Sequence, residues 1–225
     1  MTNYWDKSFL KHVNIDKVKV VFEVGARYGC ETIELKKTFR NSIIHSFECN
    51  PKTIDICKMK LSNRKDIIFN DFGLGKINEL RPFYSYIRDN DGASSLLKRI
   101  DFNATQINTG TITIKTLHDY VNNNNIKNID ILCMDVQGYE LNILKGCRDF
   151  IKNINCIIME EPKPIINTYY LPNGIHSKYI NAPTSQQIKL FMKQNGFVEI
   201  ERIEENKIED NVMYRRKILH YNKDE

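Results

Sequence analysis

Asp130-Ile131-Leu132-Cys133-Met134-Asp135-Val136-Gln137-Gly138-Tyr139-Glu140-Leu141, running on through Leu144-Lys145-Gly146, is the stretch on which the fold turns. Its first half is a short apolar run, residues 131–136, of the kind that makes a buried parallel strand. The second half carries Leu141 and Leu144 on one helical face and stops near Gly146. Between them sit an acid, an amide and a glycine. In open α/β sheets ligands settle outside the carboxyl ends of the strands, so this polar joint marks where a site belongs.

Working outward, the same alternation recurs on both sides. Apolar runs at 18–24, 43–47 and 67–69 alternate with amphipathic stretches bearing Ile33, Leu35 and Phe39, then Ile54, Cys57 and Leu61. Asn50-Pro51 reads as a cap and first helical turn. Residues 76–115 are less regular, with strand character at 83–87 and 111–115 around an Asn90-Asp91-Gly92 turn. Thr116-x-x-Asp119 and Thr184-x-x-Gln187 each open a helix as a capping box, the second helix closing at Gly196. Downstream, 154–159 reads as a fifth strand, and 197–203 with 216–221 as a hairpin across the 204–211 connection. Residues 160–183, rich in proline and without a period, are expected to form a loop whose 162–183 portion covers the site. The pattern predicts one domain over 1–225, with its core at about 18–221: a mostly parallel seven-stranded sheet ending in an antiparallel hairpin, with helices on both faces.

The strand ends are unusually polar. Glu23-Val24-Gly25-Ala26-Arg27-Tyr28-Gly29 puts two glycines in a G-x-x-x-G turn, where Gly25 adopts a backbone shape closed to other residues and Gly29 permits close approach. Two such glycines also make a plain βα turn. Glu48, 25 positions after Glu23 and followed by Cys49, stands where a carboxylate grips a ribose diol; the bland alternative is a solvated loop acid. Asn70-Asp71-Phe72-Gly73 either offers a polar group and an aromatic wall to an adenine or is a simple turn.

Composition narrows the classes. The formal charge of +5 arises from basic residues mixed with 28 acidic ones, which is no stripe for a phosphate backbone, so nucleic acid is not expected as a partner. The six cysteines are scattered without a C-x-x-C pair and read as small buried apolar groups. No apolar run is long enough for a bilayer, and the amino-terminal segment lacks signal-peptide features, so the expected location is cytoplasmic and no membrane is expected as a partner.

The stretch at 130–146 resembles the hallmark of the FkbM-type methyltransferases, close to D-x-L-K-I-D-V-E-G-x-E-x-x-V-L-x-G. It matches at Asp130, Leu132, Asp135, Val136, Gly138, Glu140, Leu144 and Gly146, with Cys133 and Gln137 standing where lysine and glutamate are common. FEVGARYG, FECNP, Asp71-Phe72-Gly73-Leu74-Gly75, Ser94-Ser95-Leu96, Thr116-Leu117-His118-Asp119 and Ile158-Met159-Glu160 follow the family order, so the resemblance spans roughly residues 18 to 200. Arg27 and Asp71 depart from the usual asparagine and small residue.

The resemblance implies a Rossmann-like class I methyltransferase fold and S-adenosylmethionine, held by Glu23, Gly25, Ala26, Arg27, Gly29, Glu48, Cys49, Asp71, Phe72 and Asp135. It implies methyl transfer to a hydroxyl of a sugar or other small metabolite, within glycan biosynthesis for example. An alcohol must lose its proton in that reaction, so Asp135, Glu160 and His176 are the candidate catalytic groups. Asp135 with Glu160 and Glu161 would also suit a divalent cation such as Mg, although no metal is predicted. A homodimer stays open. Competing readings are a nicotinamide-dependent oxidoreductase, disfavoured by the glycine spacing and by the lack of a Tyr-x-x-x-Lys pair, and a non-catalytic Rossmann-like binding module.

Overall fold

The computed structural model describes residues 7–86, 91–99, 106–163, 179–206 and 208–217. The chain runs α1 (Lys7–Leu10), β1 (Val20–Val24), α2 (Cys30–Thr38), β2 (Ile43–Phe47), α3 (Ile54–Leu61), β3 (Ile67–Asn70), β4 (Gly73–Leu74), β5 (Glu79–Tyr86) and β6 (Gln106–Lys115). It continues through α4 (Leu117–Asn123), β7 (Ile129–Met134), α5 (Glu140–Gly146), β8 (Ile154–Pro162), α6 (Ser185–Gln194), β9 (Phe197–Glu204) and β10 (Glu209–Arg216). Seven strands form one sheet in the order β3-β2-β1-β7-β8-β10-β9, parallel except for β10, which lies antiparallel to both neighbours. The chain reverses direction across the sheet between β1 and β7, and there a crevice opens at the carboxyl ends.

Strand alternation divides the core in two. Val21, Ile44, Ile131, Cys133 and Ile158 pack with Phe9, Leu35, Phe39, Cys57 and Leu61 of α1 to α3. Phe22, Phe47, Leu132, Met134, Ile157 and Met159 face Leu117, Val121, Leu144, Ile188 and Met192 of α4 to α6. Each fully buried side chain of this kind contributes roughly 1.5–3 kcal/mol, so the helices are held chiefly by their apolar faces.

Several boundaries move from those expected. β7 ends at Met134, and Asp135 continues its contact with β1 through one further bond, Asp135 N–H to the Val24 carbonyl at 3.0 Å. Helix α3 starts at Ile54 because Asn50 builds a turn instead: its Oδ1 accepts from the Lys52 amide at 3.1 Å and its carbonyl from the Thr53 and Ile54 amides. β8 continues through Glu160, Glu161 and Pro162, which pair with Asn211, Asp210 and Glu209, so the expected loop begins only after Pro162; its residues 164–178 lie outside the described ones. The closing strand is Glu209–Arg216 rather than 216–221, since Val212, Met213 and Tyr214 are the buried residues that hold it.

β5 and β6, from the stretch at 76–115, join β4 just before it in a second sheet, β4-β6-β5, packed on the α4 to α6 side. Its pairing shifts between Pro82 and Tyr84. At α4 only half of the expected capping box forms. Thr116 Oγ1 accepts from the Asp119 amide at 3.1 Å, while Asn78 bonds both the Thr116 amide and the Asp119 carboxylate. Thr184 and Gln187 form the full reciprocal box at α6.

Candidate active site

A cavity of about 280 Å³ lies at the carboxyl ends of β1, β2, β7 and β8. One side is apolar, with Val24, Phe47, Phe72, Leu74, Phe83 and Leu96; the opposite end carries Asp135, Glu160 and Glu209.

Glu48 follows β2 directly and is buried. Its Oε1 accepts from the Asn50 amide at 2.6 Å and its Oε2 from the Arg27 amide, so the backbone aims both oxygens. Burial pushes its carboxyl up to about 7, and the Asn50, Arg27 and Cys49 amides oppose that rise. Cys49 also lines the cavity, and burial followed by the nearby Glu48 charge pushes its thiol well up, so it stays protonated.

The β1 turn is fitted to its neighbours. Gly25 has φ 93°, and a Cβ there would lie 2.0 Å from the Asp135 carbonyl oxygen, so the two ligand-side loops touch through this glycine. Gly25, Arg27, Glu48, Cys49, Phe72, Asp135 and Glu160 therefore meet around one cavity.

Four sequence candidates are not among its lining residues. Glu23 is fully buried beneath it, accepting from the Thr32 hydroxyl and, at 3.4 Å, from Ser46. The Ala26 amide joins Gly25 in donating to the Phe47 carbonyl. Gly29 caps α2, where a Cβ would press on Leu61 and Cys57 of α3. Asp71 is exposed beside Phe72. His176 lies outside the described residues.

At the acidic end, Gln137 bridges two carboxyl groups, with Nε2 2.7 Å from Asp135 Oδ1 and 2.9 Å from Glu160 Oε2. Burial pushes Asp135 up to about 6, opposed by its bonds to Gln137 and Glu160. Burial, then the Asp135, Glu209 and Glu140 charges, push Glu160 far above the usual carboxylate range, so Glu160 carries the proton of the pair. Glu140 is buried and accepts from the Val136 and Gly138 amides, holding the loop between β7 and α5.

The trio of Asp135, Glu160 and Glu161 that would suit a cation does not form. Successive residues of β8 point to opposite faces, and Glu161 instead accepts from Ser185 and Tyr214, each at 2.5 Å, and pairs with Arg202 at 2.9 Å. Among the described residues no three His, Cys, Asp or Glu are grouped to hold a metal ion. Gln137 in its bridging role and Glu209 are additions to the sequence reading. Glu209 reaches the wall only because β10 inserts between β8 and β9.

The profile of the methyltransferase FkbM domain matches residues 23–199. A curated relative from Beauveria bassiana, Methyltransferase 1, is 24% identical over 145 residues, which make up 57% of this chain and 58% of that protein. The chain thus spans little more than half of that relative's length. Among solved structures, a SAM-dependent methyltransferase from Aquifex aeolicus aligns with TM-score 0.51 and 11% identity over 92% of this chain and 87% of its own. Aeropyrum pernix fibrillarin, solved with natively bound S-adenosyl-L-methionine, aligns with TM-score 0.52 and 10% identity over 95% and 76%. At such identities these likenesses speak for the fold, that of the class I methyltransferases.

Proposed function

We propose, from the premise that this chain belongs to the FkbM methyltransferase domain family, that it transfers a methyl group from S-adenosylmethionine to a hydroxyl oxygen of a small, uncharged acceptor such as a sugar. The observation that carries the reading is Glu48, a buried carboxylate aimed by two backbone amides into a cavity with an aromatic wall.

The donor set suits the cofactor. A carboxylate accepts both hydroxyls of a ribose, and Phe47, Phe72 and Leu74 offer an apolar surface to a flat base. Acidic groups beyond the Gly25 turn favour the cationic methionine half. When bound, the cofactor supplies an electrophilic sulfonium methyl group and departs as a neutral thioether.

Asp135, the charged member of its pair, takes the acceptor's hydroxyl proton onto a carboxylate oxygen. Glu160 keeps its own proton and holds it against Asp135. The charges of Asp135 and Glu209 disfavour phosphate at this end of the cavity, with Arg27 and Arg99 elsewhere on its lining, which supports an uncharged acceptor over a nucleic acid.

Calorimetric titration of S-adenosylmethionine and S-adenosylhomocysteine into the wild type, into Glu48→Ala and against NAD tests the cofactor. Dissociation constants around micromolar, about −8 kcal/mol, are expected for both sulfur ligands, with loss in Glu48→Ala and none for NAD. Folded wild type that binds neither ligand overturns the reading. Labelled methyl transfer to a sugar panel, with the product linkage read by NMR, tests the acceptor; transfer to nitrogen or to RNA alone refutes that part.

A further inference from the structure

Gln137 is tied down at both ends of its side chain. Both carboxyl contacts are made by Nε2, while Oε1 lies 2.8 Å from the Tyr179 hydroxyl, whose proton is shared with the Ala93 carbonyl at 3.0 Å. Its backbone is held as well: φ is 54°, and the carbonyl accepts from Ser95 Oγ at 2.9 Å. Tyr179 is buried and bridges antiparallel to Arg99, with the following Ile180 amide donating to the Lys98 carbonyl at 2.8 Å. Two chain segments, 91–99 and 179–182, thus converge on one amide.

An amide nitrogen offers only protons. The carboxyl oxygens that face Gln137 Nε2 are therefore kept unprotonated, and the proton between Asp135 and Glu160 must lie on their remaining oxygens. An ionised acid at this position would present a third carboxylate with no proton to give, and a protonated one could donate to only one of the two. From this geometry we infer that Gln137, locked by Tyr179 and Ser95, is a positioning residue that holds Asp135 and Glu160 as a pair sharing one proton.

Other charges face the pair from each packed element: Glu31 from α2, Glu140 beside the loop and Glu209 from β10, with Arg99 near the Tyr179 ring at 5.9 Å. Glu31 and Glu209 oppose a charge on Asp135 and Glu140 one on Glu160, and the Gln137 bond counters the pressure on Asp135. The catalytic meaning of this pair rests on the proposed methyl transfer, whereas its proton state belongs to the ligand-free protein.

The test is carbon-13 NMR of carboxyl-labelled Asp and Glu in the ligand-free wild type, Gln137→Asn and Tyr179→Phe, with Asp135→Asn and Glu160→Gln for assignment. Asparagine tolerates positive φ but withdraws the amide by one methylene. In wild type, Asp135 is expected to titrate near 6 while Glu160 keeps its proton well past neutrality. Gln137→Asn should raise the Asp135 midpoint by about one unit, leaving about tenfold less of the charged form on the acid side. Tyr179→Phe, which removes one oxygen atom, should move it in the same direction by less and carries the test alone if Gln137→Asn does not fold. Identical Asp135 titrations in all folded proteins, or two independent carboxyls at ordinary values in wild type, overturn the inference. Failure of the wild type to bind S-adenosylmethionine would instead overturn the methyl-transfer reading and leave the titration result standing.

Discussion

Replacing Gly25 by alanine tests whether the site is built by contact between the β1 and β7 loops. The added Cβ would sit 2.0 Å from the Asp135 carbonyl oxygen and 3.0 Å from its carbon, and both atoms are backbone. A relaxed carbon–oxygen contact is about 3.3 Å, so the loops must part by more than an ångström. Overpacking of this kind costs about 1–3 kcal/mol. Alanine at φ 93° adds about 1–2 kcal/mol. Gly196→Ala separates the two costs, since Gly196 has φ 79° but its nearest neighbour would be 3.9 Å away.

At about 2–4 °C per kcal/mol for a chain of this length, Gly25→Ala should lower Tm by about 10 °C, and Gly196→Ala by about 4 °C. Because the displaced carbonyl belongs to Asp135, only Gly25→Ala should weaken S-adenosylhomocysteine binding, by about tenfold or ~1.4 kcal/mol. Thermal melts and calorimetry on the two variants read both effects. Equal losses in Tm with wild-type affinity in each would refute the reasoning, leaving Gly25 as a turn residue with no part in joining the loops.

Glu48 holds its proton more tightly in the fold than at its ordinary 4.5, so cofactor affinity should fall about tenfold per pH unit below about 7 and level off above it. The stability Glu48 lends the ligand-free protein has the opposite sign: it is present below 4.5 and fades as pH rises through 7, so urea melts and calorimetry should move in opposite directions. Glu161→Gln should cost about 1–3 kcal/mol in urea unfolding, because it removes the buried charge on which Ser185, Tyr214 and Arg202 converge while Arg202 keeps Glu199 and Asp210, yet leave S-adenosylhomocysteine affinity intact; a parallel loss of affinity would place Glu161 at the site after all. His45, buried against Tyr120 at 2.8 Å, is pushed down to about 4 by burial, so it lends stability above 6.5 that is lost as pH falls through 4. His45→Phe should flatten Tm between those limits, and an unchanged acid slope would rule His45 out as its source.

The central strand β7 was readable because a parallel strand buried on both faces must be nearly apolar throughout, as 131–134 is, and β2 because Ile43, Ile44 and Phe47 frame its two polar residues, His45 and Ser46. Glu48 was readable because it is polar at the end of such a run. Glu160 and Glu161 needed one further step, since counting in twos from buried Met159 sends Glu161 to the α6 face and Glu160 to the other. Gln137 looked like a variant of a motif position, and nothing local to it announces the Tyr179 hydroxyl 42 residues away. Glu209 was hidden by topology, because an antiparallel strand inserted out of sequence order brings its side chains to a wall that no spacing predicts. Residues 76–115 resisted for a local reason: Pro82 and Gly110, poor residues for strand interiors, both fall inside strands.

A compact motif can suggest that each of its residues touches the ligand, but residues 130–146 divide their work along the fold. Asp130, at the far end of β7, accepts from the Lys19 and Val20 amides at 2.8 and 3.0 Å and ties β1 to β7 before either reaches the cavity. Asp135 enters the cavity, and Glu140 fixes the turn behind it through the Val136 and Gly138 amides. Gly146 faces away from the site: a Cβ there would lie 2.0 Å from the Gly75 carbonyl, just past β4. β4 follows Phe72, the aromatic wall, and Gly75 is bonded to the Lys115 carbonyl of β6. The motif's last glycine therefore seats the second sheet against α5 at Gly75, two residues past the end of the turn that carries Phe72. One continuous stretch thereby contributes to both walls of the cavity, the acidic one through Asp135 and the apolar one through the absence of a side chain at Gly146.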